Sequence, residues 1–316
     1  MIKIEPMGDE YFYISCIVAL VCLALYLATC TAVLKNLKTF SSSYYKLYIF
    51  SSVVNVVTYW NSVLALRIPP FTCYTCAWAP ILNFLSDTFF TRMVAFGIGY
   101  YGFLQYTISS IMAFNRFTAV FFPFKHNNFW HKYLVPLIVI TILYPWIFEF
   151  DYLVYPSVFF KNNMTATYGL KASVIGTNFP GLIRTTATFS VCFGAFIINV
   201  VLNSCVLVKV ILQRKRLLKT RSGKDELRLV LHNLVSFIGE AFASLVTFML
   251  LFPNNIALYS LAIELIPPAC DSVSLFSPII LLFCNTEIRR KVFGKIRIRG
   301  QQTTMVVSIA SNASNH

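Results

Sequence analysis

Charge is scarce in this sequence: 12% of its 316 residues are Asp, Glu, Lys or Arg, against 57% hydrophobic. A soluble surface needs about 25% charged residues, so one or two soluble domains are excluded and a membrane protein is expected. Histidine is scarcer still. The four that occur, His126, His131, His232 and His316, all fall at or near one side of the expected membrane. Neither a His-Glu-x-x-His pair nor a Gly-x-Ser-x-Gly turn is present, which leaves no constellation to carry catalysis. No enzyme activity, cofactor or metal is expected. Also lacking are an internal repeat, a long linker and a disulfide framework, because seven of the nine cysteines (Cys16, Cys22, Cys30, Cys192, Cys205, Cys270 and Cys284) lie within apolar runs, where cysteine acts as a small hydrophobe.

What is abundant is long apolar sequence. A bilayer core takes about twenty apolar residues per helix, and seven segments meet that length: Phe12–Leu34, Leu47–Leu66, Met93–Phe114, Leu134–Phe150, Thr185–Leu212, Leu229–Phe252 and Leu258–Cys284. The fold class expected is an all-α membrane protein, a seven-transmembrane helix bundle, forming one domain over residues 1–300 with a disordered tail over 301–316. The start, MIKIEPMGDE, is more acidic than basic and leads into a run too long for a signal-peptide core, so an uncleaved first span is expected. Of the 26 Lys and Arg residues, 20 fall in the loops after spans one, three and five, counting Lys209 at the end of span five, and in the tail. The positive-inside rule then places the N-terminus outside and the C-terminus in the cytosol. The net charge of +14 is thereby read as topology and not as nucleic-acid binding. The sequon Asn163-Met164-Thr165 falls on the outer side, where glycosylation is possible; a second, Asn312-Ala313-Ser314, falls in the cytosolic tail.

The stretch Ile111–Trp130, IMAFNRFTAVFFPFKHNNFW, carries the most specific pattern. An apolar run stops at Asn115-Arg116 and reopens as an aromatic and basic loop. Arg116 must reach water, headgroups or a partner. Arg116 and Lys125 taken alone are positive-inside anchors, and Trp130 is an interfacial aromatic. Together, Asn115-Arg116, Phe121-Phe122-Pro123 and Trp130 resemble the end of the third helix and the second intracellular loop of nematode serpentine chemoreceptors of the Srg superfamily, class gamma or the related class V. The resemblance extends over Tyr44-Tyr45-Lys46-Leu47, Arg67-Ile68-Pro69, Cys73 and Cys76, then Ser277-Pro278 and Asn285-Thr286-Glu287-Ile288-Arg289-Arg290. It implies a G-protein-coupled receptor with Arg116 placed where such receptors engage a heterotrimeric G protein. Three departures stand out. Asn115 replaces the acid that would pair locally with Arg116, span six lacks an internal proline, and no cysteine between Asp151 and Arg184 is available for the usual loop disulfide.

Other motifs are weighed against their ordinary readings. Cys73-Tyr74-Thr75-Cys76 is read as a local disulfide bracing the first outer loop, with two free thiols as the alternative; no βαβ pattern supports a redox motif. Gly97-Ile98-Gly99-Tyr100-Tyr101-Gly102 matches a dinucleotide fingerprint by letter only. With no preceding strand, its small residues are expected to admit a neighbouring helix. Glu240, Glu264 and Asp271 lie in apolar runs and must face the bundle interior. Glu240 and Asp271 fall near the depth of Asn55 and Asn199, giving a hydrogen-bonded polar cluster that is a candidate activation switch.

Bases between Gln213 and Arg228, among them Arg214, Arg216 and Arg221, form a lipid-attracted loop by default. Beside Arg116 and Lys125 they would also form a partner's docking surface. In the tail, Ile288, Val292, Phe293 and Ile296 share a helical face expected to lie along the inner leaflet, with Cys284 a palmitoylation candidate. Phe96, Tyr100, Phe103 and Glu264 are the candidate ligand pocket. The function expected is a chemoreceptor in the plasma membrane, possible in a sensory cilium, binding a small chemical outside and activating a G protein inside; partners are that G protein, the ligand and the lipid bilayer, with no nucleic acid. The competing class is a transporter or channel using Glu240 and Asp271, for which Pro136, Pro145, Pro267 and Pro278 within helices speak and the lack of an inverted repeat argues against.

Overall fold

The computed structural model describes residues 9–36, 40, 42–162, 167–172, 181–217, 237–252 and 254–294. Helix α1 (Asp9–Lys35) shows the packing logic of the whole molecule. Its buried residues, Ser15, Ala19, Cys22, Tyr26, Thr29 and Val33, recur every three or four positions, while Ile14, Ile17, Leu20, Val21, Leu27 and Leu34 are exposed. Lipid solvates the large aliphatic side chains as well as a protein core would, so the inward face takes the smaller and hydrogen-bonding residues.

Helix α2 (Ser43–Ser62) runs into a π-helical turn (Val63–Arg67) and then the single turn α3 (Ile68–Phe71). Pro69 and Pro70 lack the N–H groups that would carry the helix further. Helix α4 (Ala79–Leu85) meets α5 (Phe89–Phe121) at a 90° bend. The corner is Asp87, whose φ of 60° is the left-handed conformation that Asp tolerates better than most residues.

A single residue, Phe122, separates α5 from α6 (Pro123–Leu143). The aromatic and basic stretch expected as a loop is therefore helical. Pro123 explains it: at a first helical position its missing N–H and fixed φ favour initiation. Pro145 then breaks α6 from the single turns α7 (Trp146–Glu149) and α8 (Asp151–Val154).

The connection that follows departs from an all-helical chain. Strands β1 (Ser157–Asn162) and β2 (Thr167–Ala172) form an antiparallel hairpin, Phe159 facing Leu170. It docks on the loop after α3, where Cys73 bridges to Thr167 and the Tyr168 N–H donates to the Thr72 carbonyl at 3.2 Å.

Helix α9 (Gly181–Leu217) is long enough to outrun a bilayer. Helix α10 is described over Phe237–Met249. Helix α11 (Ile256–Ser274) contains Pro267-Pro268 and is capped by the Asn255 side chain, which accepts from the Leu258 N–H at 3.2 Å. Helix α12 (Ser277–Cys284) follows, then α13 over residues 286–294.

Among the described residues, five stretches are long and apolar enough to cross a membrane: Tyr13–Lys35, Ser43–Phe71, Pro123–Glu149, Thr188–Leu212 and Ile256–Cys284. The bent pair α4–α5 makes a sixth, and α10 is a shorter apolar helix. Helix α5 is central, packing on α2, α6 and α9.

The last helix corrects the leaflet reading. Ile288 is fully buried in the main hydrophobic cluster with Tyr44 and Trp130, and Val292 packs on it; Phe293 is left exposed. The Asn285 side chain caps this helix, accepting from the N–H groups of Glu287 and Ile288 and donating to the Tyr45 hydroxyl at 2.8 Å. That anchoring turns the helix inward. Cys284 is buried as well, which removes the accessibility that acylation requires.

Candidate functional site

The α5 end that joins α6 is held by three side-chain contacts. The Asn115 amide donates to the Ser43 hydroxyl at 2.6 Å, both residues buried. Arg116, only 3% exposed, lays its guanidinium over the Tyr44 ring, 3.6 Å from the centroid. Ser43 and Tyr44 open α2, so one dipeptide of α5 grips one dipeptide of α2. An arginine near a membrane-helix end has thus found a desolvated cation–π partner where an acid would be expected. Trp130 is buried too, not interfacial. Its indole N–H donates to the Thr118 hydroxyl at 2.8 Å and ties α6 back onto α5.

Lys125 is exposed one residue from Phe124, which is 97% exposed. Arg214 and Arg216 fall in the last two turns of α9. Arg221 lies outside the described residues.

The four residues expected as one polar cluster separate into three sites. Asn55 belongs to a network across α1, α2, α5 and α11. Its amide nitrogen donates to the Tyr26 hydroxyl at 3.0 Å, Gln105 donates to the Asn55 carbonyl oxygen and to the Ser274 hydroxyl at 2.9 Å each, and Tyr26 donates to the Ser274 carbonyl at 2.6 Å. Asn199 donates to the Glu240 carboxylate at 2.7 Å and to Ser109 at 3.4 Å, which couples α9, α10 and α5. Asp271 joins neither. It pairs with Arg67, whose side chain is fully buried, reaches the Pro267 carbonyl at 3.4 Å and stacks 5.0 Å from the Tyr59 ring centroid. The reason is electrostatic: a buried acid takes the nearest cation before it takes neutral amides. In the sequence Arg67 stands out only within the Arg67-Ile68-Pro69 motif. Its signal was an arginine at the end of one apolar run and an acid inside another, since charges within a membrane pair with each other.

The candidate pocket residues also part. Phe96, Tyr100 and Phe103 are buried against the α6–α7 corner: Phe96 stacks on Tyr100 with centroids 4.8 Å apart and lies 5.1 Å from Trp146, and Phe103 stacks on Phe148 at 5.4 Å. The Tyr100 hydroxyl donates to the Ile142 carbonyl at 3.0 Å. Glu264 is exposed on α11 and is not brought to these rings. A cavity of about 310 Å³ lies elsewhere, lined among others by Ala65, Leu66, Ile98, Tyr152, Ile263 and Pro267.

The glycines of α5 admit side chains, not a neighbouring backbone. A Cβ at Gly97 would meet the Asn61 amide at 2.5 Å and one at Gly99 would run into the Glu149 carboxylate, while Gly102 has open space. On the hairpin side, Cys73 and Cys76 are joined by a disulfide. Tyr168 donates to Asn83 at 3.1 Å and meets Tyr74 edge to face at 5.7 Å. Asn163 lies in the β1–β2 connection, outside the described residues. Among the described residues no group of His, Cys, Asp and Glu is placed to hold a metal.

Comparison with known proteins converges on one family. The Srg family chemoreceptor model matches residues 11–292. Serpentine receptor class gamma-31 of Caenorhabditis elegans is 24% identical over 278 residues, covering 85% of this chain and 86% of that protein. Class gamma-10 of the same organism is 26% identical over 260 residues, 80% of this chain and 75% of that protein. Class gamma-2 is 23% identical over 196 residues, 61% and 56% respectively. The chain belongs to the Srg family of chemoreceptors, multi-pass membrane proteins built on a bundle of seven transmembrane helices.

Proposed function

We propose that this chain is a G-protein-coupled chemosensory receptor of the plasma membrane, with its N-terminus outside and its tail in the cytosol. A small molecule binds from outside and favours a conformation whose inner face accepts a heterotrimeric G protein. The observation that carries this reading is the Arg116–Tyr44 stack beside the Asn115–Ser43 hydrogen bond. A cation folded onto a ring at the inner end of the central helix is a contact that a rearrangement of α2 against α5 would release, which presents the guanidinium to a partner. Lys125, Arg214, Arg216 and Arg221 would surround it, with Phe124 as an apolar contact. The separate networks at Asn55 and at Asn199–Glu240 would change partners in the same transition, because ligand and G protein influence each other only through differential contacts in two states.

The test is nucleotide exchange on a heterotrimeric G protein reconstituted with the purified receptor. Arg116→Ala should abolish exchange at unchanged surface expression. Exchange that survives this substitution, or solute flux through receptor-only vesicles, would overturn the reading in favour of a transporter.

A further inference from the structure

The cavity between the α2 π-turn, α5, α11 and the hairpin has a wall with unusual chemistry. Its lining is aliphatic apart from Tyr152: Ala65, Leu66, Ile98, Ile263 and Pro267 are representative. Among the described residues, no charged side chain lines it. Arg67 and Asp271 are paired with each other, and Arg67 also reaches the carbonyl of the lining residue Pro267. Glu264 sits one residue beyond Ile263 but is exposed and not part of the lining. An ion entering this space would lose hydration with nothing to replace it, so the occupant is uncharged.

The polar feature comes from the backbone. Pro267 and Pro268 lie inside α11, and proline has no N–H to donate. The carbonyls of Ile263 and Glu264, four residues earlier, therefore lose their helical partners. Ile263, Ile266 and Pro267 all line the cavity, so the carbonyl that Pro267 leaves without a helical donor falls between lining residues on that face of α11. An acceptor in an otherwise apolar site selects for a donor.

Resting on the receptor reading above, we propose that this cavity is the ligand site and that its ligand is a small uncharged molecule, mostly hydrocarbon, with one hydroxyl-type donor directed at the Ile263 carbonyl. Its volume, about 310 Å³, is at the lower end of ligand pockets, roughly 300–1,000 Å³, which limits the ligand to a compact one.

The experiment uses the full chain in lipid nanodiscs with 1-octanol, octanal and octanoate as probes, reading apparent affinity from the concentration dependence of the thermal unfolding midpoint. The alcohol should bind more tightly than the aldehyde, and octanoate should give no shift. Pro267→Ala restores an N–H for the Ile263 carbonyl and should lower alcohol affinity about fivefold to tenfold with little change for the aldehyde. Pro268→Ala, which relaxes the same helix but restores a partner only for Glu264, should keep the alcohol preference. Ile98→Trp and Ile263→Trp fill the cavity from exposed positions and should remove the shift, while Ile147→Trp on the outer surface should not.

An alcohol preference unchanged in Pro267→Ala overturns the proposal, as does wild-type binding in both cavity-filling variants or no saturable shift with any probe. Octanol binding without stimulated nucleotide exchange would instead refute the receptor reading and leave the site standing. Ligand-stimulated exchange that is indifferent to the tryptophan variants would do the reverse.

Discussion

The guanidinium of Arg116 rests 3.6 Å from the centre of the Tyr44 ring, and both side chains are buried. A desolvated cation–π contact contributes about 2 kcal/mol. On the receptor reading proposed above, that contact belongs to the closed state of the inner face and is lost on opening. Tyr44→Leu should then raise ligand-independent nucleotide exchange by about tenfold or more, and Tyr44→Phe, which keeps the ring, should leave it near the wild-type level. Basal exchange that is equal in the three proteins would separate Arg116 from the switch.

Arg67 and Asp271 make a second prediction because they form a pair. Removing one partner leaves an uncompensated buried charge, at a cost of about 3–5 kcal/mol, whereas replacing both with apolar residues is often neutral. Arg67→Met and Asp271→Asn should each reduce surface expression sharply, and Arg67→Met combined with Asp271→Leu should recover most of it. Flow cytometry of a tagged receptor measures this. Additive losses in the double variant would show that the pair is not coupled.

The glycines of α5 should respond differently to the same substitution. Gly99→Ala places a methyl group where the Glu149 carboxylate sits, and Gly97→Ala crowds Asn61. Gly102 has open space, and alanine there removes a helix penalty of about 1 kcal/mol. Thermal unfolding in detergent should show a midpoint several degrees lower for Gly99→Ala and unchanged or higher for Gly102→Ala.

The seat of the β1–β2 hairpin depends on a short covalent loop. The Cys73–Cys76 disulfide is adjacent to the Cys73–Thr167 bridge that seats the hairpin. For so short a loop the chain-entropy contribution is about 2 kcal/mol. Reducing agent, or Cys76→Ser, should lower the unfolding midpoint by a few degrees and speed amide exchange at Tyr168, whose N–H is held by the Thr72 carbonyl. Exchange at Leu281, within α12, should be unaffected.

Sidedness is tested at the two sequons. With the N-terminus outside, Asn163→Gln should abolish a glycosidase-sensitive mobility shift and Asn312→Gln should have no effect. A shift that depends on Asn312 would invert the topology.

Membrane residence and helical architecture could be read from the amino-acid order, because burial in lipid demands long apolar runs with internally satisfied backbones. The charge balance of the loops likewise shows directly in composition, and the motif at Asn115-Arg116 identified the family by local pattern. Pairing was not legible. Counting along the segments puts Asn55, Asn199, Glu240 and Asp271 at one depth, yet helix rotation and offset distribute them over successive turns. Gln105 and Ser109 serve two of the sites from adjacent turns of α5, and Asp271 lies nearly a turn from Ser274 on α11. The π-helical turn at Val63–Arg67 has no signature in that stretch, although it accompanies the inward placement of Arg67. The hairpin was hidden because its strands are short and its main anchors, Cys73 and Thr72, are distant in sequence. Hydrophobic length is a property of a segment and survives in one dimension; which face meets which neighbour is a property of helix rotation and packing, and tertiary structure alone decides it.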